Sequence, residues 1–206
     1  MQLIEKSKLL LKRNKMKNKF RASASILWAW SRGDWENAVN MYFKLTDFDT
    51  PAMKAGREYH KKWEDYINEN QRMPEVFGGE ELENPLPEIK LESQLSPWLE
   101  LVGILDCYSN GILYEFKTGG GNSQGYSGSP QLGIYALLLK LNGYPVHQAV
   151  VHHYNQHLKQ ATSSYVWITD KVIQDALDYI ETYSSEMHNY LEENNLYEEL
   201  GKKKKD

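Results

Sequence analysis

The segment GILDCYSNGILYEFKTGG, residues 103–120, places three charged side chains among apolar and aromatic neighbours. The charged residues are Asp106, Glu115 and Lys117, and the residues around them are typical of buried strands. Burying a charge costs several kcal/mol unless the charge is paired or holds a metal ion. Any fold of this chain must therefore bring the three groups together or bind an ion between them.

The dipeptide Asn-Gly at 110–111 predicts a β-hairpin with a two-residue turn. In that register Asp106 lies opposite Glu115, and paired residues of antiparallel strands point to the same face with Cβ atoms about 5 Å apart. Lys117 shares this face because side chains alternate along a strand. The three charged groups therefore converge, and a register shift of one residue would separate them.

Two carboxylates at this separation repel each other unless a positive charge lies between them. A hard divalent cation, Mg²⁺ or Mn²⁺, binds carboxylate oxygens, backbone carbonyls and water, and it leaves positions open for a phosphate. A neighbouring lysine can activate the attacking water or neutralise charge that develops on the phosphate. A purely structural salt-bridge cluster of Lys117 with its two acidic neighbours is the alternative.

The periodicity along the chain predicts helices first, then a three-stranded meander, a helix, further strands and a final helix. Ser23 or Ser25 is a plausible N-cap of an early helix, and Pro51 opens another that runs to about residue 70. The predicted later elements are strands at 88–96, 98–109 and 112–118, a helix at 129–143, strands at 147–156 and 163–169, and a helix at about 170–200. This order indicates an α/β fold in which helices flank a mixed sheet.

Charge divides the chain into three parts. Residues 1–22 carry eight Lys or Arg and one acid, and residues 202–205 are four lysines. We therefore expect a basic N-terminal arm or helix at 1–22, a single domain at 23–200 and a lysine tail at 201–206. Such tails attract polyanions such as nucleic acid, or they are solvated ends without a partner.

Asp106, followed on the next strand by Glu115-Phe116-Lys117, resembles the D…(D/E)-x-K core of the PD-(D/E)XK nuclease superfamily. Flanking motifs resemble its RecB-like exonuclease branch in the same order along the chain, from about residue 23 to 170. They are SASILWAW at 23–30, His60 in AGREYHKKWEDYI, and Gln131 with Tyr135 in a Q-x-x-x-Y motif.

The resemblance implies a restriction-endonuclease-like core, preceded by N-terminal helices, and a metal-dependent DNA nuclease. The implied ligands of Mg²⁺ or Mn²⁺ are His60, Asp106, Glu115, the backbone carbonyl of Phe116 and, as an accessory acid, Glu92. Lys117 would activate water, and Gln131 and Tyr135 would flank the site and position the lysine and the DNA. Trp28, Trp30 and Tyr126 could stack on unpaired bases or belong to the core.

The resemblance favours an exonuclease that acts on single-stranded DNA. A structure-specific endonuclease or junction resolvase and a non-catalytic nucleic-acid-binding protein are the alternatives. The single cysteine, Cys107, excludes the four-cysteine iron–sulfur cluster that some relatives carry, so the chain resembles the branch without it, including the mitochondrial genome maintenance exonuclease and viral relatives.

The same cysteine count excludes a disulfide framework, so a reducing, cytoplasmic location fits best, with a viral or prokaryotic source. A mitochondrial presequence fits less well, because the basic N-terminal segment is dominated by lysine and has little serine. No apolar run approaches the length of a membrane span, so we expect no membrane partner. A homo-oligomer is left open.

Overall fold

The computed structural model describes residues 18–45 and 50–201. The strands are β1 (Phe20–Ser23), β2 (Leu86–Gln94), β3 (Leu99–Ser109), β4 (Ile112–Thr118), β5 (Gln148–Asn155) and β6 (Gln160–Trp167). The helices are α1 (Ala24–Ser31), α2 (Trp35–Phe43), α3 (Pro51–Asn70), α4 (Gln124–Ser127), α5 (Pro130–Leu141), α6 (Asp170–Glu193) and α7 (Leu196–Gly201), with a 3₁₀ turn at Glu75–Phe77.

The strands form one mixed sheet in which β3 is the branching strand. The antiparallel strand β2 pairs with β3 from Glu100 to Tyr108, and therefore takes up one edge of β3. The other edge is shared, because β1 pairs in parallel with residues 99–102 and β4 pairs antiparallel with residues 107–109. Residues 103–106 of β3 lie between these two partners, and we call this gap the fork.

Beyond the fork the sheet continues through β4, β5 and β6. The strands β4 and β5 are parallel, and helix α5 lies in the connection between them, as parallel pairing requires a long crossover. The strand β6 then returns antiparallel to β5. The α/β class with a mixed sheet and flanking helices is confirmed.

Each face of the sheet packs against its own hydrophobic cluster. The larger cluster joins the sheet to α1, α5 and α6. Most residues of α5 are buried, among them Ile134 and Leu137. The smaller cluster joins the other face to α3 through Trp63 and Ile67. Because both faces are covered, α3 and α5 approach the fork from opposite sides.

Helix starts follow the capping residues in the sequence. The side chain of Ser23 accepts a hydrogen bond from the Ile26 N–H, so Ser23 is the N-cap of α1. Thr50 caps α3 in the same way, and Pro51 occupies the first turn of that helix as predicted. Ser129, with Pro130 after it, caps α5 and places Gln131 in its first turn.

The predicted hairpin register is confirmed where the strands pair, since Ser109 faces Ile112 and Cys107 faces Tyr114. Both His152 and His153, adjacent on β5, are buried, because helices or turns cover both faces of this strand. One local prediction was wrong. The final helix does not run unbroken to residue 200, because Asn195 adopts a left-handed φ of 55° between α6 and α7.

The segment Phe20–Ser23 is part of the sheet as β1, although the sequence placed most of it in a basic arm. The rest of that predicted arm, residues 1–17, and the lysines of the predicted tail lie outside the described residues. The division into arm, domain and tail stays a prediction, as do the cytoplasmic location and the oligomeric state. Of the helices in residues 18–45 and 50–201, none is both long and apolar enough to cross a bilayer.

Candidate active site

The fork separates Asp106 from its expected backbone partner. The ladder between β3 and β4 ends at Cys107 and Tyr114, one pair before Asp106 and Glu115 would meet. Instead, the Phe116 N–H donates to Oδ2 of Asp106 at 2.7 Å, so a side chain replaces the missing ladder hydrogen bond. The two predicted acids therefore stay close, although they do not form a strand pair.

Glu115, Lys117 and Gln131 form a closed set of contacts beside the fork. The Lys117 Nζ lies 2.6 Å from Oε1 of Glu115 and donates to Oε1 of Gln131 at 3.0 Å. The Gln131 Nε2 donates to the same Oε1 of Glu115 at 2.8 Å. Gln131 reaches both partners from the first turn of α5, so the start of this helix orients the two charged side chains of β4.

Burial sets the electrostatics of this set. The pKa of Glu115 is raised, first by burial and then by the Asp106 carboxylate, and attraction to Lys117 only partly opposes this. Burial alone would lower the pKa of Lys117, but attraction to Glu115 and Asp106 outweighs it and the pKa is raised. Lys117 therefore holds its proton firmly in this arrangement and acts as a fixed positive charge.

The second carboxylate oxygen of Glu115 has no hydrogen-bond partner among the described residues. Glu115 is only 2% exposed, and its Oε2 is fully buried without a donor. Leaving a buried carboxylate oxygen unsatisfied costs more than a typical hydrogen bond contributes. A cation bound beside Asp106 would supply the missing partner.

A second cluster lies on the α3 side of Asp106. The Nδ1 of His60 is 3.3 Å from Oδ1 of Asp106. Glu88 joins them, and one ligand atom from each of the three residues lies within 4.8 Å of the others. The pKa of Glu88 is raised, first by burial and then by Asp106. Two carboxylates and one imidazole are a donor set that fits Mg²⁺ or Mn²⁺.

The sequence reading did not find Glu88 and chose Glu92 on the same strand instead. The structure places Glu92 elsewhere, since it is exposed and its Oε2 pairs with Arg21 at 2.9 Å. Pairing of β2 with β3 skips Glu88, which has a φ of 50°, and this irregularity turns the strand beside Asp106. Glu88 lies beside Asp106 because of the register of β2 on β3, for which the sequence carries no local signal.

The remaining predicted residues take different places. Tyr135 lies over the fork, because a Cβ added to Gly103 would be 3.0 Å from its ring. The Lys117 Nζ lies 5.9 Å from the centroid of the Tyr126 ring, which stacks on His153. Trp30 is a core residue.

Trp28 is 43% exposed and carries the Arg32 guanidinium over its ring, so it lies on the surface. Phe116 anchors β4 through its buried ring, and a metal-ligating role of its carbonyl stays a prediction.

Several solved structures with this arrangement of strands and helices are named as exonucleases. The alkaline exonuclease LHK-Exo from Laribacter hongkongensis, in complex with dAMP, matches with a TM-score of 0.53 and 13% identity over 88% of this chain and 93% of that chain. The chain has the fold of these exonucleases. A protein named as an exonuclease from Eubacterium rectale gives a TM-score of 0.57 and 14% identity, with 81% and 80% of the two chains covered.

A phage-related exonuclease from Haemophilus somnus 129PT gives a TM-score of 0.53 and 11% identity, with 85% of this chain and 96% of that chain covered. No protein-family model matches the sequence, and no curated protein does either. At these identities the likeness establishes the fold, and the chemistry has to be argued from the site itself.

Proposed function

We propose that the protein is a metal-dependent DNA exonuclease that acts on single strands. One observation carries the proposal: the buried Glu115 has an unpartnered oxygen and lies beside Lys117 and Asp106, at the fork of an exonuclease fold. A structural salt bridge explains the 2.6 Å contact between Lys117 and Glu115, but it leaves Oε2 of Glu115 unexplained. The second cluster around His60 supports the same conclusion.

The proposed ligands of Mg²⁺ or Mn²⁺ are His60, Asp106, Glu115, the Phe116 carbonyl and Glu88, which takes the role expected of Glu92. These donors come from α3, β2, β3 and β4. One ligand atom each of His60, Glu88 and Asp106 lies within 4.8 Å of the others, and Asp106 also accepts from the N–H of Phe116, the neighbour of Glu115. When bound, the cation would polarise the scissile phosphate and stabilise the departing oxygen.

The protein groups contribute position and charge. Lys117 presents a positive charge toward the phosphate and the attacking water, and Gln131 limits its rotation by a 3.0 Å hydrogen bond. The ring of Tyr126, in α4, lies 5.9 Å from the same ammonium group, and its proposed role is to contact a base. The proposed role of Tyr135 is to line the path of the DNA at the fork.

The fold neighbour LHK-Exo was crystallised with dAMP, which supports DNA as the substrate. The proposed preference for single strands rests on the resemblance of the sequence motifs to the RecB-like branch. The test is cleavage of an end-labelled single-stranded oligonucleotide with Mg²⁺, Mn²⁺ or EDTA. Wild type is compared with Lys117→Ala and with a matched control, Lys171→Ala, whose lysine is exposed and pairs with Asp175 on α6.

We expect metal-dependent degradation by wild type and by the control, and none by Lys117→Ala. A circular single strand should survive, whereas its cutting would indicate an endonuclease and favour the junction-resolvase alternative. Absence of cleavage on single strands, duplexes and branched DNA with every metal would refute the nuclease function. Salt-sensitive binding in the same samples would then support a non-catalytic binding protein.

A further inference from the structure

A cleft lies over β1 and the middle of β2 and β3. Its volume is about 1480 Å³, and its walls include residues from β1, the start of α1, the end of α2, and β2 and β3. Its lining includes Gly103 and Ile104 of the fork, and Tyr135 of α5. We call this cleft the β1 groove.

The β1 groove is electrically unlike the rest of the protein. Its lining contains the basic side chains Lys19, Arg21, Lys44 and Lys90, and one acid, Glu92. Between residues 23 and 201 the chain carries twelve basic and twenty-six acidic residues. A surface lined mainly by basic side chains therefore differs from what the composition of this part of the chain would give on average. Arg21 is already held by Glu92 and Glu100, whereas the three lysines are exposed.

The groove lies next to the candidate active site. Gly103 and Ile104 line it, and Asp106 follows two residues after Ile104 on β3. Lys90 also lines it and lies two residues beyond Glu88 on β2. Tyr135 is one turn along α5 from Gln131, which donates to Glu115. A polyanion in the groove is therefore close to the proposed metal.

We infer that the β1 groove binds the phosphate backbone of the single strand that is being digested, and that the strand reaches the metal from the β1 side of the fork. This inference rests on the proposed function for the identity of its ligand. Lys19, Lys44 and Lys90 bind phosphates, and the rings of Tyr42 and Tyr135 offer surfaces for unpaired bases.

The span from Arg21, which lines the groove, to the proposed metal predicts the length of DNA that is bound. The Cα partner of Arg21 is Glu100, and from there to the proposed ligand Asp106 is six residues along β3, or about 20 Å at the rise of a strand. That is roughly six nucleotides at the 3.4 Å phosphate spacing of a stacked strand, and fewer for an extended strand.

The test is direct binding in EDTA, so that its result does not depend on cleavage. Fluorescence anisotropy of labelled oligothymidylates of increasing length is measured at several salt concentrations for wild type, the double variant Lys44→Gln/Lys90→Gln and the control Lys171→Gln. Glutamine is one atom shorter than lysine, and it removes the charge while the side chain stays polar. Lys171 lies on α6 outside the groove.

Affinity should rise with length up to about six nucleotides and then level off. The double variant should bind several-fold more weakly, and its slope of log K against log salt should fall by about 1.4, because each single-strand phosphate contact contributes about 0.7. The control should match wild type. Because binding is separate from catalysis, this result would hold even if wild type cleaved no DNA.

Equal affinity and equal salt slopes for all three proteins would overturn the inference. Equal loss of affinity for a blunt duplex would overturn the assignment to a single strand, because the groove would then hold duplex DNA. Neither result would bear on the metal-dependent cleavage tested with Lys117→Ala.

Discussion

Asp106 and Phe116 are joined across the fork by a hydrogen bond of 2.7 Å from the backbone N–H to Oδ2. The other carboxylate oxygen, Oδ1, faces Nδ1 of His60 at 3.3 Å. One side chain thus closes a gap in the sheet with one oxygen and presents charge to the proposed metal with the other. The two roles are separable by mutation.

Asp106→Asn should retain the fold and abolish cleavage. An asparagine Oδ can still accept the Phe116 N–H, but the negative charge that attracts a cation is lost. We expect unfolding free energy within about 1 kcal/mol of wild type for Asp106→Asn, and a loss of about 1–3 kcal/mol for Asp106→Ala, which leaves that N–H unsatisfied. Urea denaturation and the nuclease assay measure the two effects, and an Asn variant that cleaves normally would contradict the proposed role.

Gln131→Ala should lower turnover without weakening DNA binding. Gln131 touches both Lys117 and Glu115, so its loss frees the ammonium group to rotate while leaving both charges in place. We expect kcat to fall about 10- to 100-fold and KM to change little. The fall in kcat is somewhat smaller than that expected when a group that touches the transition state directly is removed. The control is Gln174→Ala, whose side chain pairs with Asp178 on α6; a rise in KM alone would argue against this role.

Metal binding should distinguish Glu88 from Glu92. Calorimetric titration with Mn²⁺ should show weaker binding for His60→Gln and Glu88→Gln. We expect the affinity to fall at least roughly tenfold, because even the loss of a residue that only supports a ligand costs that much. Glu92→Gln is the matched control on the same strand and should bind Mn²⁺ as wild type does. If Glu92→Gln weakened Mn²⁺ binding and Glu88→Gln did not, Glu92 would be the metal ligand, as the sequence alone suggested.

The local part of the site was predictable from the sequence because the hairpin is local. A two-residue turn fixes which residues of adjacent strands meet, and Asp106, Glu115 and Lys117 follow from it. The α5 residues that meet Lys117 come next in the chain, and the Q-x-x-x-Y motif marked them. Where the site depends on sequence neighbours, pattern and spacing were enough.

The long-range part of the site was not predictable in the same way. The strand β1 pairs with a strand almost eighty residues further along, and its four residues follow a lysine-rich segment that indicated a helix. Glu88 meets Asp106 only because β2 adopts a particular register with an irregular residue inside it. Neither feature is encoded in the spacing of a motif.

Stability should fall as the pH drops below about 6.5, with His152 as a main contributor. Burial lowers the pKa of His152 to about 4, so the unfolded chain binds a proton between pH 6.5 and 4 that the folded protein does not. Its stabilising contribution is therefore complete above pH 6.5 and is lost toward pH 4, by up to about 3 kcal/mol.

Urea denaturation at several pH values checks this, with His152→Phe as the test variant. Phenylalanine keeps the ring stacked near Phe77 and Phe116 but cannot be protonated. In this variant the unfolding free energy should depend less steeply on pH. A smaller slope should remain, because burial also lowers the pKa values of His153 and His188. The exposed His157→Gln control should behave as wild type, and an unchanged profile for His152→Phe would exclude His152 as the source.

Gly103→Ala should destabilise the protein at the fork. An added Cβ would be 2.8 Å from Cδ1 of Leu138 and 3.0 Å from the Tyr135 ring, and Leu138 is fully buried, so these side chains or α5 itself must shift away from β3. We expect a loss of about 1–3 kcal/mol, as for other insertions into a packed core.

The matched control is Gly125→Ala in α4, where nothing lies within 4 Å of an added Cβ. That variant should be neutral or more stable by up to about 1 kcal/mol, because alanine restricts the unfolded chain. Urea denaturation compares the two, and the nuclease assay shows whether displacing Tyr135 also slows cleavage. If Gly103→Ala were as stable as Gly125→Ala, the contact between α5 and β3 at the fork would be looser than the distances indicate, and Tyr135 would be free to move out of the β1 groove.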